Sequence, residues 1–349
     1  MVTARQLTAP VVALLVLGVT MTVALGIGAV HVPVPDVLEV IARRLRLADP
    51  DVPLVDDQIV WQMRMPRVLG AAAVGAGLAV CGTVLQSLTR NDLADPYLLG
   101  ISSGAAVGAV TVIVLGTGIG GLVGGAAVGA AAFLGALAAL VLVLVLAAGP
   151  GGSLPPSRTV LAGVAVGQAC AAYTSFLVMS QGDSQAARRM LDWTLGSVAG
   201  LRWQSSLGLT AVVLVATLVI LGNARSLDAF AFGEASARSL GVDVTRLRWL
   251  LLAGSALLTA VLVANVGAIG FVGLVVPHMV RLVTGPTHRV LLPMAALVGA
   301  TFLVAADTAA RSVAGDTEIP IGVVTGLVGA PFFAWLLRRA RSGRAGVAG

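Results

Sequence analysis

Carboxylates occur in only five places along this chain. All sixteen Asp and Glu residues fall within 36–57, 92–95, 183–192, 228–243 and 307–318, and the stretches between them are long, apolar and rich in Gly and Ala. Each ionised side chain in hydrocarbon costs about 2.5–3.5 kcal/mol on insertion scales, so the acids mark where the chain leaves a bilayer. A span needs about 20 apolar residues. The chain has 349 residues, of which 58% are hydrophobic and 11% charged, against about 25% charged in soluble domains. The expected fold class is therefore all-α: a polytopic membrane protein with about ten transmembrane helices, forming a single transmembrane domain over 1–349.

The apolar runs place spans at about 8–30, 66–88, onward from Tyr97, and at 122–148, 159–181, 204–222, 248–267, 269–284, 289–306 and 319–337. The eighth is short and broken by Gly and Pro. The run Thr8–Val30 follows Arg5 and is longer than the roughly 7–15-residue core of a signal peptide, so it reads as an uncleaved first span. The segment DWTLGSVAGLRW (192–203) is too short to span and is flanked by tryptophans; it is expected as an outer-surface helix across the mouth of the bundle. With both termini in the cytoplasm, the inner side holds thirteen of the 22 arginines and the outer side nine, and this excess selects the orientation in a cell membrane. Trp61, Trp193, Trp203, Trp249 and Trp335 all fall at span ends, where amphipathic rings belong.

One polar stretch is patterned enough to be an element in its own right. RSLDAFAFGEASARSLGVDVTRLR (225–248) lies between two apolar runs. Ser226 is placed to cap a short helix that Gly233 breaks. Glu234 then favours the N-terminal dipole of a second helix, Ala235–Leu240, closed by Gly241 in a left-handed conformation. The result is a compact knuckle on the cytoplasmic side. It is either an interfacial loop lying on lipid headgroups or a docking element for a soluble partner.

Several chemistries are excluded or left without support. All 22 basic residues are arginine, so there is no lysine for a phosphate-binding P-loop, and the chain is not expected to be its own ATPase. Cys81 and Cys170 lack metal or disulfide spacing and read as buried free thiols. The net charge of +6 belongs to the membrane face, because no basic run is interleaved with aromatics as nucleic-acid binding would require. Span centres carry almost no ionisable group, so an ion-coupled secondary carrier lacks its ion site. His278 is the one candidate, and its neighbours Pro277 and Arg281 put it near the inner end in a structural place. A passive scaffold would not need spans broken by glycine. The remaining reading is a transporter energised from outside this chain.

On the outer side Arg64 and Arg67 open the second span and Arg311 closes the ninth. Each can snorkel to headgroups, and Asp307 can pair with Arg311 at helical spacing. The three together also suit carboxylates of a protein docking from outside. Glu318 followed by Pro320 reads as a helix start.

Six stretches in order resemble the FecCD family of ABC importer permeases: 64–108, 160–167, 193–200, 232–242, 267–281 and 306–337. The resemblance implies ten spans per protomer and a second permease protomer, in a homo- or heterodimer. It also implies a separate ABC ATPase subunit that holds ATP and Mg, and an extracytoplasmic substrate-binding protein. This chain itself would bind no cofactor. The cargo class would be a metal chelate, with ferric siderophore the commonest in the family and haem or cobalamin the alternatives. Gly233, Glu234, Ala237, Leu240 and Gly241 match the family's coupling helices. Arg64, Arg67 and Arg311 match arginines that meet acids of the binding protein. Asn91 and Leu93 fall where the cobalamin-carrying member places a cytoplasmic gate, and Ser157 matches a second gate layer. The family's Asn-Pro-Leu-Ala-Asp-Pro reads NDLADP here, so Asp92 replaces a proline and puts a charge beside the gate.

Overall fold

A computed structural model describes residues 4–116, 124–181, 184–230, 233–313 and 318–345. Among these residues there is no strand. The first helix, α1 (Ala4–Gly26), is followed by amphipathic α2 (Val34–Arg44). Then α3 (Leu54–Asp57) continues through a π-helical stretch, Gln58–Arg64, into α4 (Met65–Thr89). A 3-10 turn at Pro96–Leu99 leads to α5 (Ile101–Leu115), α6 (Gly125–Ala147), α7 (Pro156–Gln181), α8 (Ser184–Leu195) and α9 (Trp203–Gly222). The short α10 (Ala224–Phe230) and α11 (Glu234–Ser239) precede α12 (Val244–Val266), α13 (Val272–Thr284), α14 (His288–Ala310) and α15 (Ile321–Ala345). Among the described residues seven helical stretches are long and apolar enough to cross a membrane, and α5, α13 and the Ile321–Trp335 part of α15 are shorter apolar helices. Together they match the expected spans in order.

The bundle is built around α4, which is buried along nearly its whole length and packs against α9, α12, α13 and α14. Apolar side chains gain little by leaving lipid for protein, so helix association there depends on close backbone approach. Small residues at the crossings supply it. A methyl group on Gly82 would lie 1.8 Å from the carbonyl oxygen of Gly273 on α13, and one on Gly75 would lie 2.2 Å from that of Gly299 on α14. The pair α5 and α6 meets in the same way, with the Gly104 position 2.5 Å from Gly135 O. Gly82→Ala must therefore separate α4 from α13, and a thermal melt in detergent should show a loss of about 1–3 kcal/mol. Gly208→Ala on α9, where nothing lies within 4 Å, should stay within about 1 kcal/mol of the parent in the same melt, any change being a gain from helix propensity.

Three local expectations are corrected. The outer-surface helix over 192–203 does not exist as such: α8 ends at Leu195, and 196–202 is irregular. Gly196 takes φ +76° and packs against the Gly267 backbone, while Ser197 N–H donates to Val266 O and Ile321 N–H to Gly196 O. These contacts tie the segment to the α12 end and the α15 start, so it cannot run on as a helix. Ser226 does not cap α10, which begins two residues earlier at Ala224. Glu318 lies ahead of α15, which starts at Ile321, and pairs with Arg67 at 2.8 Å.

Candidate functional site

The 25 residues of α4 separate two polar rims by about 37 Å at 1.5 Å per residue. At its N-terminal end lie Arg64, Arg67, the end of α1, the end of α14 and Glu318. At its C-terminal end lie Asn91–Leu93, the knuckle, and the first turns of α12 and α14.

At the first rim the structure brings the three expected docking arginines together, but they point inward. Arg64 Nη1 donates to Leu25 O at 2.7 Å and Nη2 to Val30 O, while Arg311 Nη2 donates to Ala24 O. The last turn of a helix leaves its carbonyls without partners and carries partial negative charge, so two guanidiniums here close the α1 end and anchor it to α4 and α14. Arg64 is 7% exposed and Arg311 9%. The expectation of an open arginine rim is corrected in this respect: burial leaves neither guanidinium free to reach outward. Arg67 is bidentate on Asp307, Nε to Oδ2 at 3.0 Å and Nη2 to Oδ1 at 2.8 Å, with Nη1 on Glu318. Asp307 also faces Arg311 at 3.8 Å, the helical pair foreseen from spacing. Glu318, about half exposed, is the one member of the cluster that an approaching surface can displace.

At the second rim the knuckle forms as two short helices bent at Gly233, whose φ of +93° suits glycine, with Gly241 left-handed at +81°. The second helix is Glu234–Ser239, one residue earlier at each end than expected. Ala237 is fully buried and Leu240 is 68% exposed, so the first packs the knuckle inward and the second presents an apolar tip. Glu234 accepts from Arg248 Nη2 at 2.6 Å, and this bond holds its carboxyl below the usual carboxylate range. Arg248 also donates to Leu154 O at 3.4 Å and lies over the Phe230 ring at 5.7 Å. One guanidinium thus joins α10, α11, α12 and the turn leading to α7.

The residues expected at the gate lie beside this hub. Asn91 Oδ1 accepts from Leu93 N–H at 3.0 Å, and Arg90 turns left-handed (φ 49°), so the loop leaves α4 sharply with Leu93 exposed. Ser157 is exposed on the first turn of α7. A small, mostly apolar pocket lies between the two elements, lined by Leu88, Ala94, Asp95, Leu154, Thr159 and Arg248. Asp92, the departure from the family pattern, pairs with Arg281 on α13 and lies 3.9 Å from His278 Nδ1. Its charge ties the loop to α13 where a proline would have stiffened it.

Burial lifts the Asp95 carboxyl to about 6, while the bond from Tyr97 N–H opposes the shift. A carboxyl raised on folding favours the protonated native state: its contribution is complete below the unfolded value near 4 and is lost as pH rises through about 6. Asp95→Asn keeps the acceptor for Tyr97 and removes the titration. The melting temperature of the parent relative to the variant should therefore fall as pH rises from about 4 to about 6 and stay level above that.

Sequence reasoning did not find Arg248 as a hub, nor the partners Asp228, His288 and Ser87, which bond across separations of 60 and 201 residues. Nothing in local spacing links them.

Comparison with known proteins agrees with this arrangement. Residues 14–339 match the FecCD transport family. The chain is 48% identical over 287 residues to the cobalamin import system permease protein BtuC of Halobacterium salinarum, covering 82% of this chain and 75% of that one. It is 41% identical over 288 residues to the hemin transport system permease protein HmuU of Yersinia pestis, covering 82% and 85%. A solved metal-chelate type ABC transporter in an inward-facing conformation superposes with TM-score 0.81 at 32% identity, covering 95% of this chain and 98% of that one. A family match over nearly the whole length, on a fold that superposes over 95% of the chain, has one consequence: this chain belongs to the FecCD transport family of membrane permeases.

Proposed function

We propose that this chain is the membrane-spanning subunit of an ABC importer that carries cobalamin, with haem as the second cargo. The observation that carries the reading is the pairing of gate loop and knuckle at one end of α4, with the arginine cluster at the other. Movement of the knuckle is thereby next to the gate, and a docking surface is a membrane thickness away. Ferric siderophore, the first expectation for cargo, gives way to cobalamin because the relatives compared above are a cobalamin and a hemin permease.

In this reading both termini are cytoplasmic and two protomers enclose the pathway. An ATPase dimer, holding ATP and Mg, seats on Leu240 and Glu234 between Gly233 and Gly241, with Ala237 as the inner anchor. An extracytoplasmic binding protein docks at the other rim, where one of its carboxylates replaces Glu318 on Arg67. Arg64 and Arg311 hold that rim in shape. ATP closure moves the knuckles, the helices rock about the dimer axis, and the layer formed by Asn91, Leu93 and Ser157 opens in turn. Cargo crosses without covalent change. Competition uptake in reconstituted vesicles, with labelled cobalamin against hemin and a ferric siderophore, tests the cargo. Unlabelled cobalamin should compete at the lowest concentration; stronger competition by the siderophore would reverse the assignment.

A further inference from the structure

We infer that Asp228, His288 and Ser87 form a relay that carries movement of the knuckle to the gate end of α4. Asp228 lies on α10, within the knuckle. Its Oδ1 accepts both the backbone N–H of His288, at 2.9 Å, and Nδ1 of the same residue, at 2.6 Å. The other ring nitrogen, Nε2, lies 2.5 Å from Ser87 Oγ; with the Nδ1 proton on the Asp228 side, Nε2 accepts the Ser87 hydroxyl proton, for which Thr83 O at 2.8 Å is the alternative acceptor. Three helices are thus joined in series: α10, the first residue of α14, and the last turns of α4. Ser87 stands one helical turn before Asn91.

The His288 ring is 6% exposed, in surroundings where apolar side chains of the same volume would hold the helices together as well or better. What directional bonds add is register. Apolar side chains let one helix slide past another, whereas a carboxylate and a hydroxyl fixed on the two nitrogens of one ring do not. The knuckle also reaches α4 where Gly233 approaches Arg90, with the guanidinium 3.8 Å from the glycine's side-chain position. Among the described residues that contact carries no hydrogen bond, whereas the relay joins the knuckle to α4 by directional bonds able to pull as well as push. All three are positioning residues; none is asked to touch cargo.

This inference rests on the knuckle being the ATPase seat. Its test uses the full permease–ATPase complex in vesicles, with Cys81 and Cys170 replaced by alanine and L93C as a maleimide probe at the gate. Trapping with ATP and orthovanadate should change the L93C labelling rate by about tenfold or more, as a nearly complete shift between two gate states requires. In D228A and H288A the change should shrink to under about twofold while the ATPase still copurifies and hydrolyses ATP. D228N keeps an oxygen for both N–H bonds and should retain at least about half of the response. A brace that serves only stability would lower the melting temperature and leave the labelling response intact. Full response in D228A and H288A overturns the relay. Should H288A not fold, D228A and S87A decide by the same criterion. Failure of the ATPase to copurify with the parent chain overturns the seat itself, and is told apart because no relay variant is then involved.

Discussion

Arg67→Ala should cost about 3–5 kcal/mol and leave little folded permease in detergent, because it strands Asp307, which is 2% exposed, without its bidentate partner. A residue whose only task is to meet a docking protein would lose docking and keep its melting temperature. The structure gives Arg67 the first task and the proposed function gives it the second, and they can be separated. Replacing the pair together, as R67M/D307L, removes the buried carboxylate along with its bidentate partner, leaves Arg311 held by Ala24 O, and should restore part of the stability. The binding protein should still fail to dock on that double variant, since the guanidinium that Glu318 would surrender is gone. Fluorescence-detected chromatography for folding and pull-down with the binding protein for docking give the two readouts. Stable, docking-competent R67A would contradict both tasks.

Leu240→Asp should have the reverse signature. The side chain is mostly exposed at the tip of the knuckle, so stability should change by no more than about 0.5 kcal/mol. Copurification of the ATPase should fall by about 30-fold, the loss expected when an apolar anchor worth about 2 kcal/mol is replaced by a charge. Arg248→Ala is the contrasting variant. It removes the hub that holds Glu234, Phe230 and Leu154 together, so it should lower stability and ATPase retention at once. An L240D chain that still brings down the ATPase at parental yield would place the seat elsewhere.

Much of this was legible without coordinates, for identifiable reasons. The acid islands gave the span order because hydrocarbon excludes carboxylates wherever the chain crosses it. The knuckle was readable because Gly233 and Gly241 need backbone angles that few other residues adopt, and Glu234 lies at a helix start. Side-chain partners were not readable. Arg64 and Arg311 looked like surface arginines, and only the fold brings the open end of α1 to them across 39 and 287 residues. The helix expected over 192–203 failed because a pattern of tryptophans and glycines does not reveal that Gly196 must fit against Gly267. From the sequence Asp92 is a charge in place of a proline beside the expected gate, and Arg281 on α13 supplies its counter-charge. Local spacing identifies elements; it is silent on pairs that meet through tertiary packing.

The central claim is that this chain is a conduit whose motion is supplied by another protein acting at the knuckle. Sealed vesicles holding the permease alone, or with its ATPase and binding protein, can be given labelled cobalamin with and without ATP. The account predicts accumulation only in the complete system with ATP, and its loss on Leu240→Asp. Accumulation against a gradient by the permease alone, with no nucleotide present, would contradict it.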